Sequence, residues 1–193
     1  MLKHIITTDC PRSCPYCITK NLPAIEPCPG KIEEAYAAHR EETSLMLTGG
    51  EPTFRPDLLF TAFNAGRRYF EDVNLTTANG RFLHHWTAKF FDSIIYSHHD
   101  RPAAELPFVG PSVRAYLAIL ADQFSQDLVG MAHASGFSGL TINEEQRAGE
   151  RFEAEVLAPC EGFTIKINRR GHCLDQKILL PDLTLVEDFR DFM

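Results

Sequence analysis

The sequence predicts an α/β fold, a curved and partly open (β/α)6 barrel with parallel strands and helices outside them. Strand-like apolar segments alternate with helix-like segments about six times, and no linker or repeat interrupts the series. Such alternation is typical of parallel strands joined by right-handed crossovers. The 193 residues suffice for six such units, whereas a closed barrel of this kind has eight. A doubly wound open sheet is the alternative that fits the same pattern.

The elements are predicted from periodicity and from start and stop signals. Pro56 marks the start of a helix with apolar residues at helical spacing, and Pro111 and Ser112 mark the start of another. From the N-terminus, strands are predicted near 2–8, 44–52, 72–80, 93–100, 127–135 and 162–170, and helices near 31–42, 55–70, 84–91, 111–124 and 143–158.

Composition predicts one domain over 1–193, with a core at about 3–170 and a C-terminal extension at 171–193. The chain has no run of eighteen apolar residues and no apolar signal segment near its start, which predicts a cytoplasmic protein without a membrane partner. The net charge of −7, without a block of Lys and Arg, argues against a nucleic-acid partner.

Three cysteines stand close together in the stretch TTDCPRSCPYCITK. Cys10, Cys14 and Cys17 have the spacing C-x3-C-x2-C directly after the first predicted strand. Thiolates suit zinc or iron–sulfur clusters, and three of them leave one iron of a four-iron cluster open to another ligand. With Cys28 as a fourth ligand, the same residues would instead form a closed zinc site in a binding module.

A second motif, TGGEP, follows the second predicted strand. Gly49 and Gly50 lack Cβ atoms, so the backbone there can approach a ligand closely. Glu51 adds an anionic partner for an ammonium group. Because ligands bind at the carboxyl ends of parallel strands, we expect this motif and the cysteines at the same edge of the sheet.

Together these motifs resemble the radical SAM superfamily over roughly residues 3–100. Its hallmark is the C-x3-C-x2-C loop with an aromatic residue, here Tyr16, before the last cysteine. LTGGEPT is similar to its methionine-amine motif, VNLTTANG to its third-strand segment with Ala78 inserted, and SIIYSHHD to its fourth. The wording TGGEPTFRPDL is closest to the branch of the molybdenum-cofactor cyclase and the peptide-maturing enzymes.

The resemblance implies an enzyme with a [4Fe-4S] cluster on Cys10, Cys14 and Cys17 and with S-adenosyl-L-methionine (SAM) as its second cofactor. Reductive cleavage of SAM would give a 5′-deoxyadenosyl radical that abstracts hydrogen from a substrate. The expected partners are a reductant such as flavodoxin or ferredoxin, a peptide or partner protein as substrate, and a second copy in a homodimer. The residues expected to contact SAM are Tyr16, Gly49, Gly50, Glu51, Pro52, Asn79 and Ser97.

Three histidines near predicted strand ends are candidate catalytic residues. His98, His99 and His133 would act as proton donors or substrate ligands, although loop histidines are more often solvated or hydrogen-bonded. Two cysteines cannot hold a further four-thiolate cluster, so Cys160 and Cys173 are interpreted as ordinary strand cysteines. A small-molecule enzyme like the 7-carboxy-7-deazaguanine synthases, which are also short and often contain TGGEP, is the alternative within the superfamily.

Overall fold

A computed structural model describes residues 1–12, 14, 17, 19, 22, 27–98, 106–144, 152–169 and 177–186. The chain divides into two compact units. Unit 1 contains residues 1–77 and 173–193, and unit 2 contains residues 78–172.

Within the described residues, unit 1 is built on five strands in the order β3-β2-β1-β8-β9. All neighbours are parallel except β8 and β9, which are antiparallel. The strands are β1 (Leu2–Ile5), β2 (Ser44–Thr48), β3 (Asp72–Thr77), β8 (Ile178–Leu179) and β9 (Leu185–Val186), and the helices are α1 (Ile32–Ala38) and α2 (Pro56–Tyr69). The predicted C-terminal extension therefore adds two short strands beside β1.

Helix α2 forms where the sequence predicts it, and a glycine lets it lie close to the sheet. Pro56 opens the helix, Asp57 lies in its first turn, and arginines lie in its last turn, which suits the helix dipole. A Cβ atom on Gly66 would stand 2.7 Å from Leu45 Cδ2, so a larger residue there would push the Leu45 side chain aside. Leu59, Leu45, Leu47 and Leu75 are fully buried in the resulting core.

The described part of unit 2 contains four parallel strands in the order β4-β5-β6-β7. They are β4 (Ile94–Ser97), β5 (Ala115–Leu120), β6 (Gly139–Asn143) and β7 (Thr164–Asn168), with helix α3 (Gln126–Ala134) before β6. Short 3-10 helices, Gly80–His84 and Ala88–Phe90, stand where a helix near 84–91 is predicted. The mixed α/β class with mostly parallel strands agrees with the prediction.

The predicted helix over 111–124 is wrong, because this segment contains strand β5 and a 3-10 helix at Ala121–Gln123. Ala115, Leu117, Ala118 and Ile119 are all buried, so both faces of the strand are covered. A parallel strand covered on both faces is a continuous apolar run, which periodicity alone cannot distinguish from a buried helix.

The predicted strand over 127–135 is also wrong, because helix α3 occupies it. The Oγ of Ser125 accepts a hydrogen bond from the Leu128 N–H at 3.2 Å, which caps the helix, and one apolar face is buried. Strand β6 was not predicted. Of the predicted helix over 143–158, residues 145–151 lie outside the described residues, while 152–158 have no regular secondary structure.

Within the described residues, none of the helices has both the length and the apolar character needed to cross a membrane.

Candidate functional site

The loops that follow β1 and β2 are joined by backbone hydrogen bonds beyond the ends of the strands. The Gly50 N–H donates to the Thr7 carbonyl at 2.8 Å, and the Glu51 N–H donates to the Asp9 carbonyl at 2.8 Å. Cys10 follows Asp9 directly. The structure therefore brings the start of the cysteine loop (residues 7–17) against the GGE loop (residues 49–51), as the sequence predicts.

Both glycines of the GGE loop are required for this contact. Gly49 has a φ of +137°, a conformation that side chains disfavour, and a Cβ atom there would lie 2.4 Å from the Thr7 carbonyl oxygen. A Cβ atom on Gly50 would lie 2.2 Å from the Asp9 carbonyl oxygen. The sequence interpretation assigned the missing Cβ atoms to the approach of a ligand. In the structure, the absence of these Cβ atoms lets the backbone of the cysteine loop lie against the GGE loop.

The three cysteines of the motif are partly exposed, and local hydrogen bonds involve them. The Arg12 N–H donates to Cys10 Sγ at 3.4 Å, and the Cys17 N–H donates to the Cys14 carbonyl at 3.2 Å. Cys17 Sγ lies 2.9 Å from Thr19 Oγ1. Hydrogen bonds to cysteine sulfur atoms are one means by which a protein tunes an iron–sulfur cluster.

The donor types of this loop fit an iron–sulfur cluster, because thiolates are its usual protein ligands. The positions of these donors do not yet form a metal site. In the part of the chain that the structure describes, no three His, Cys, Asp or Glu side chains are grouped to hold a metal ion. Cys28, the fourth ligand of the zinc alternative, is fixed by its N–H to the Pro181 carbonyl at 3.0 Å. Tyr16 lies outside the described residues.

Glu51 is a buried carboxylate that donors from two threonines help to hold in place. The residue is only 2% exposed. Its Oε1 accepts hydrogen bonds from Thr77 Oγ1 at 2.6 Å, from Thr53 Oγ1 at 2.7 Å and from the Thr53 N–H at 3.2 Å. Pro52, also buried, opens the 3-10 helix that follows. A buried carboxylate needs such donors, and this set fixes the position of Glu51 Oε1.

Arg55 links the cysteine loop to the start of α2. Its Nη1 donates to Asp9 Oδ2 at 3.2 Å, and its Nε and Nη2 donate to the two carboxylate oxygens of Asp57 at 3.3 and 3.2 Å. Hydrogen bonding from Arg55 lowers the pKa of Asp57. Because these groups are exposed, the link orients the loop more than it stabilises the fold.

Several contributors to this site were not predicted. Thr7 is buried and its Oγ1 accepts from the Asp9 N–H at 3.0 Å, which shapes the start of the cysteine loop. Thr77 and Thr53 hold Glu51. The only signal in the sequence is that Thr7 and Thr77 each end an apolar strand segment, where side chains can face a ligand edge.

The remaining predicted site residues belong to unit 2. The Oδ1 of Asn79 accepts from the Arg81 N–H at 3.2 Å and caps the 3-10 helix Gly80–His84. Ser97 is the last residue of β4 and is half-buried. His98 follows it with only 2% exposure, and its N–H donates to the Ala118 carbonyl at 2.8 Å. His99 lies outside the described residues.

His133 does not end a strand, so its predicted placement is wrong. It lies in the last turn of α3, before β6 begins, and its Nε2 lies 3.3 Å from Sγ of Cys160, which precedes β7. Phe163 packs edge-on against its ring at 5.9 Å. His133 is therefore near the amino ends of β6 and β7, whereas ligands of parallel α/β folds bind at the carboxyl ends. Cys173 lies outside the described residues.

The fold is similar to that of solved structures of SuiB from Streptococcus suis. The structure bound to S-adenosylmethionine matches with a TM-score of 0.67 and 11% identity over 96% of this chain and 59% of that chain. A structure described simply as SuiB matches with a TM-score of 0.61 and 12% identity over 88% and 49%. The structure bound to the precursor peptide SuiA matches with a TM-score of 0.55 and 14% identity over 75% and 39%.

This likeness shows the fold, and it agrees with the predicted class, an α/β fold with mostly parallel strands. The chain spans about half the length of the solved structures that it matches. No protein-family model and no curated protein matches the sequence.

Proposed function

We propose that this chain is a radical SAM enzyme that uses a [4Fe-4S] cluster to cleave S-adenosyl-L-methionine. The observation that carries the proposal is the backbone pairing of the cysteine loop with the GGE loop, through Gly50 to Thr7 and Glu51 to Asp9. The two motifs on which the resemblance rests are thus neighbours in space. The similarity in fold to SuiB bound to S-adenosylmethionine supports the same superfamily.

Cys10, Cys14 and Cys17 would hold the cluster. With SAM bound and one electron from an external reductant, that cofactor pair would supply reductive cleavage of the sulfonium to methionine and a 5′-deoxyadenosyl radical for hydrogen abstraction from the substrate. Because the described sulfur atoms are not grouped as a metal site, binding of the cluster includes their rearrangement. The pairing of β1 with β2 and the hydrogen bond from the Glu51 N–H to the Asp9 carbonyl would hold the start of the loop, up to Asp9, in place.

Glu51 would orient SAM by accepting hydrogen bonds from its methionyl ammonium group. Thr53 and Thr77 already fix the carboxylate oxygen Oε1, so the acceptor does not have to be ordered when the ligand arrives. The burial of Glu51 strengthens its attraction for a cation, because little water competes. Contacts of Asn79 and Ser97 to SAM, and a role of His98, His99 or His133 in proton transfer, stay predictions.

The substrate that we propose is a peptide. SuiB, whose fold this chain shares, has been solved with a precursor peptide bound. The sequence motif TGGEPTFRPDL is most similar to that of the branch that includes peptide-maturing enzymes, and this similarity supports the same substrate class.

The decisive experiment is anaerobic reconstitution with iron and sulfide, followed by metal analysis and a visible spectrum. We expect about four irons per chain and a brown chromophore, because one four-iron cluster binds to three thiolates. Addition of dithionite and SAM should then release 5′-deoxyadenosine, detected by chromatography with mass spectrometry.

Matched cysteine variants separate this proposal from the zinc alternative. Cys14→Ser should lose both iron and SAM cleavage, whereas Cys28→Ser should retain both, since Cys28 is not a proposed ligand. About one zinc per chain, lost in both variants, with no SAM cleavage by the reconstituted protein, would refute the radical enzyme and establish the four-cysteine zinc site.

A further inference from the structure

Unit 2 presents a row of exposed aromatic rings on the segment that leads from β3 to β4. Trp86 packs edge-on against Phe90 with ring centroids 5.6 Å apart, and His85 lies 5.8 Å from Trp86. On the other side, His84 stacks on Phe108 at 6.2 Å. We call the exposed side chains of Arg81, His84, Trp86, Lys89, Phe90 and Phe108 the aromatic surface.

This surface is more exposed than packing within the chain would require. Trp86 is 67% exposed, Phe108 58% and Phe90 43%. They are three of the four exposed large aromatic side chains in the described part of the chain, the other being Phe54. The row rests on buried packing, because His85 stacks on buried Phe82 at 5.9 Å. Concentrated aromatic exposure on a supported segment is typical of a binding surface.

The charge of the aromatic surface is opposite to that of the whole chain. Residues 80–91 and 106–114 contain no Asp or Glu, although the chain has a net charge of −7. Arg81 and His84 share one side of the 3-10 helix Gly80–His84, because residues three apart eclipse in such a helix. Lys89 Nζ lies 5.7 Å from the ring centre of Phe90. Among the described residues, no carboxylate pairs with Arg81 or Lys89.

We propose that the aromatic surface is a docking site for an acidic peptide segment that carries apolar side chains. The apolar side chains would cover Trp86, Phe90 and Phe108, and the carboxylates would pair with Arg81 and Lys89. The net negative charge of the rest of the chain repels such a peptide from other surfaces, so the complementary charge directs it here. The site does not rest on the proposed radical chemistry, since docking needs neither iron nor SAM.

Trp86 is the only tryptophan of the chain, so its fluorescence reports directly on this surface. The experiment titrates the full chain with a short synthetic peptide in which Glu and Leu alternate. A matched peptide of alternating Lys and Leu serves as the control for nonspecific apolar binding. With the acidic peptide we expect a saturable shift of Trp86 emission to shorter wavelength, weakened by salt because the charges are exposed. The basic peptide should give no saturable shift.

Variants then locate the peptide. Phe108→Ser should weaken binding roughly tenfold, because an aromatic anchor contributes far more than an average contact. Leu157→Ser removes a side chain of equal exposure, 58%, elsewhere in unit 2 and should leave the affinity unchanged. Reversal of both cations, Arg81→Glu with Lys89→Glu, should weaken binding roughly tenfold or more, whereas Lys31→Glu should not change it.

Three results would overturn the proposal. The first is the absence of an emission shift with the acidic peptide, and the second is equal binding of the acidic and basic peptides. The third is an emission shift that follows protein concentration alone, together with a doubled mass by light scattering, which would assign the aromatic surface to a second copy of this chain. Loss of peptide docking in a variant that still binds iron and cleaves SAM would leave the proposed function intact.

Discussion

Replacement of Gly50 by alanine tests whether the cysteine loop and the GGE loop pack as closely as the structure shows. The new methyl group would lie 2.2 Å from the Asp9 carbonyl oxygen, 2.6 Å from its carbon and 2.7 Å from the Thr8 carbonyl oxygen. All three atoms belong to the backbone, so no side-chain rotation can relieve the clash. The two loops must move apart.

The expected cost follows from the contacts that this movement breaks. The hydrogen bonds from Gly50 to Thr7 and from Glu51 to Asp9 each contribute about 1 kcal/mol. Strain from the extra methyl group adds about 1–3 kcal/mol. The free energy of unfolding should therefore fall by about 3–5 kcal/mol, which corresponds to a decrease in Tm of roughly 6–20 °C for a chain of this size.

Urea denaturation followed by circular dichroism measures this change, and Gly130→Ala is the matched control. No atom lies within 4 Å of a Cβ placed on Gly130, which is exposed in helix α3. Since alanine favours a helix over glycine, this variant should gain about 0.5–1 kcal/mol. The same substitution is thus expected to have opposite effects at the two positions.

The result that would refute the reasoning is a Gly50→Ala protein with the midpoint and slope of the unaltered chain. If the two units unfold in separate transitions, only the transition of unit 1 should shift, because Gly50 and its neighbours all belong to that unit. A shift confined to the transition of unit 2 would equally contradict the packing of Gly50 within unit 1.

Three further predictions concern buried polar groups and a helix cap. Thr77→Val removes a donor from the buried Glu51 carboxylate and should cost about 1.5–3 kcal/mol in urea denaturation, whereas Thr76→Val should cost less. Burial lowers the pKa of His4 from 6.5 to about 3, so the unfolded chain binds the proton first. As pH falls below 6.5, the free energy of unfolding should fall by up to about 1.4 kcal/mol per pH unit; a His4→Leu variant with the same slope would contradict this. Ser125→Ala removes the α3 cap and should lower the stability of unit 2 by about 1 kcal/mol, measured by the same denaturation.

Sequence patterns located β1, β2, β3, β4 and α2, because the sequence carries a clear boundary signal for each of them. They failed between 111 and 135, where β5 was predicted as a helix and α3 as a strand. The apolar residues of β5 are covered on both faces, and the apolar face of α3 is short. Local periodicity carries little information in either case, since burial depends on neighbours distant in sequence.

For the candidate site, too, the sequence predicted the local features but not the contacts between residues distant in sequence. The spacing of Cys10, Cys14 and Cys17 and the TGGEP motif can be read directly from the chain, since a loop with several thiols requires only nearby residues. That Gly49 and Gly50 serve the contact with the cysteine loop, and that Thr77 holds Glu51, depends on residues 26 or more positions apart. Such contacts exist only after parallel strands have aligned their carboxyl ends. The sequence by itself therefore determined which chemical groups are available, and the tertiary structure decided which of them meet.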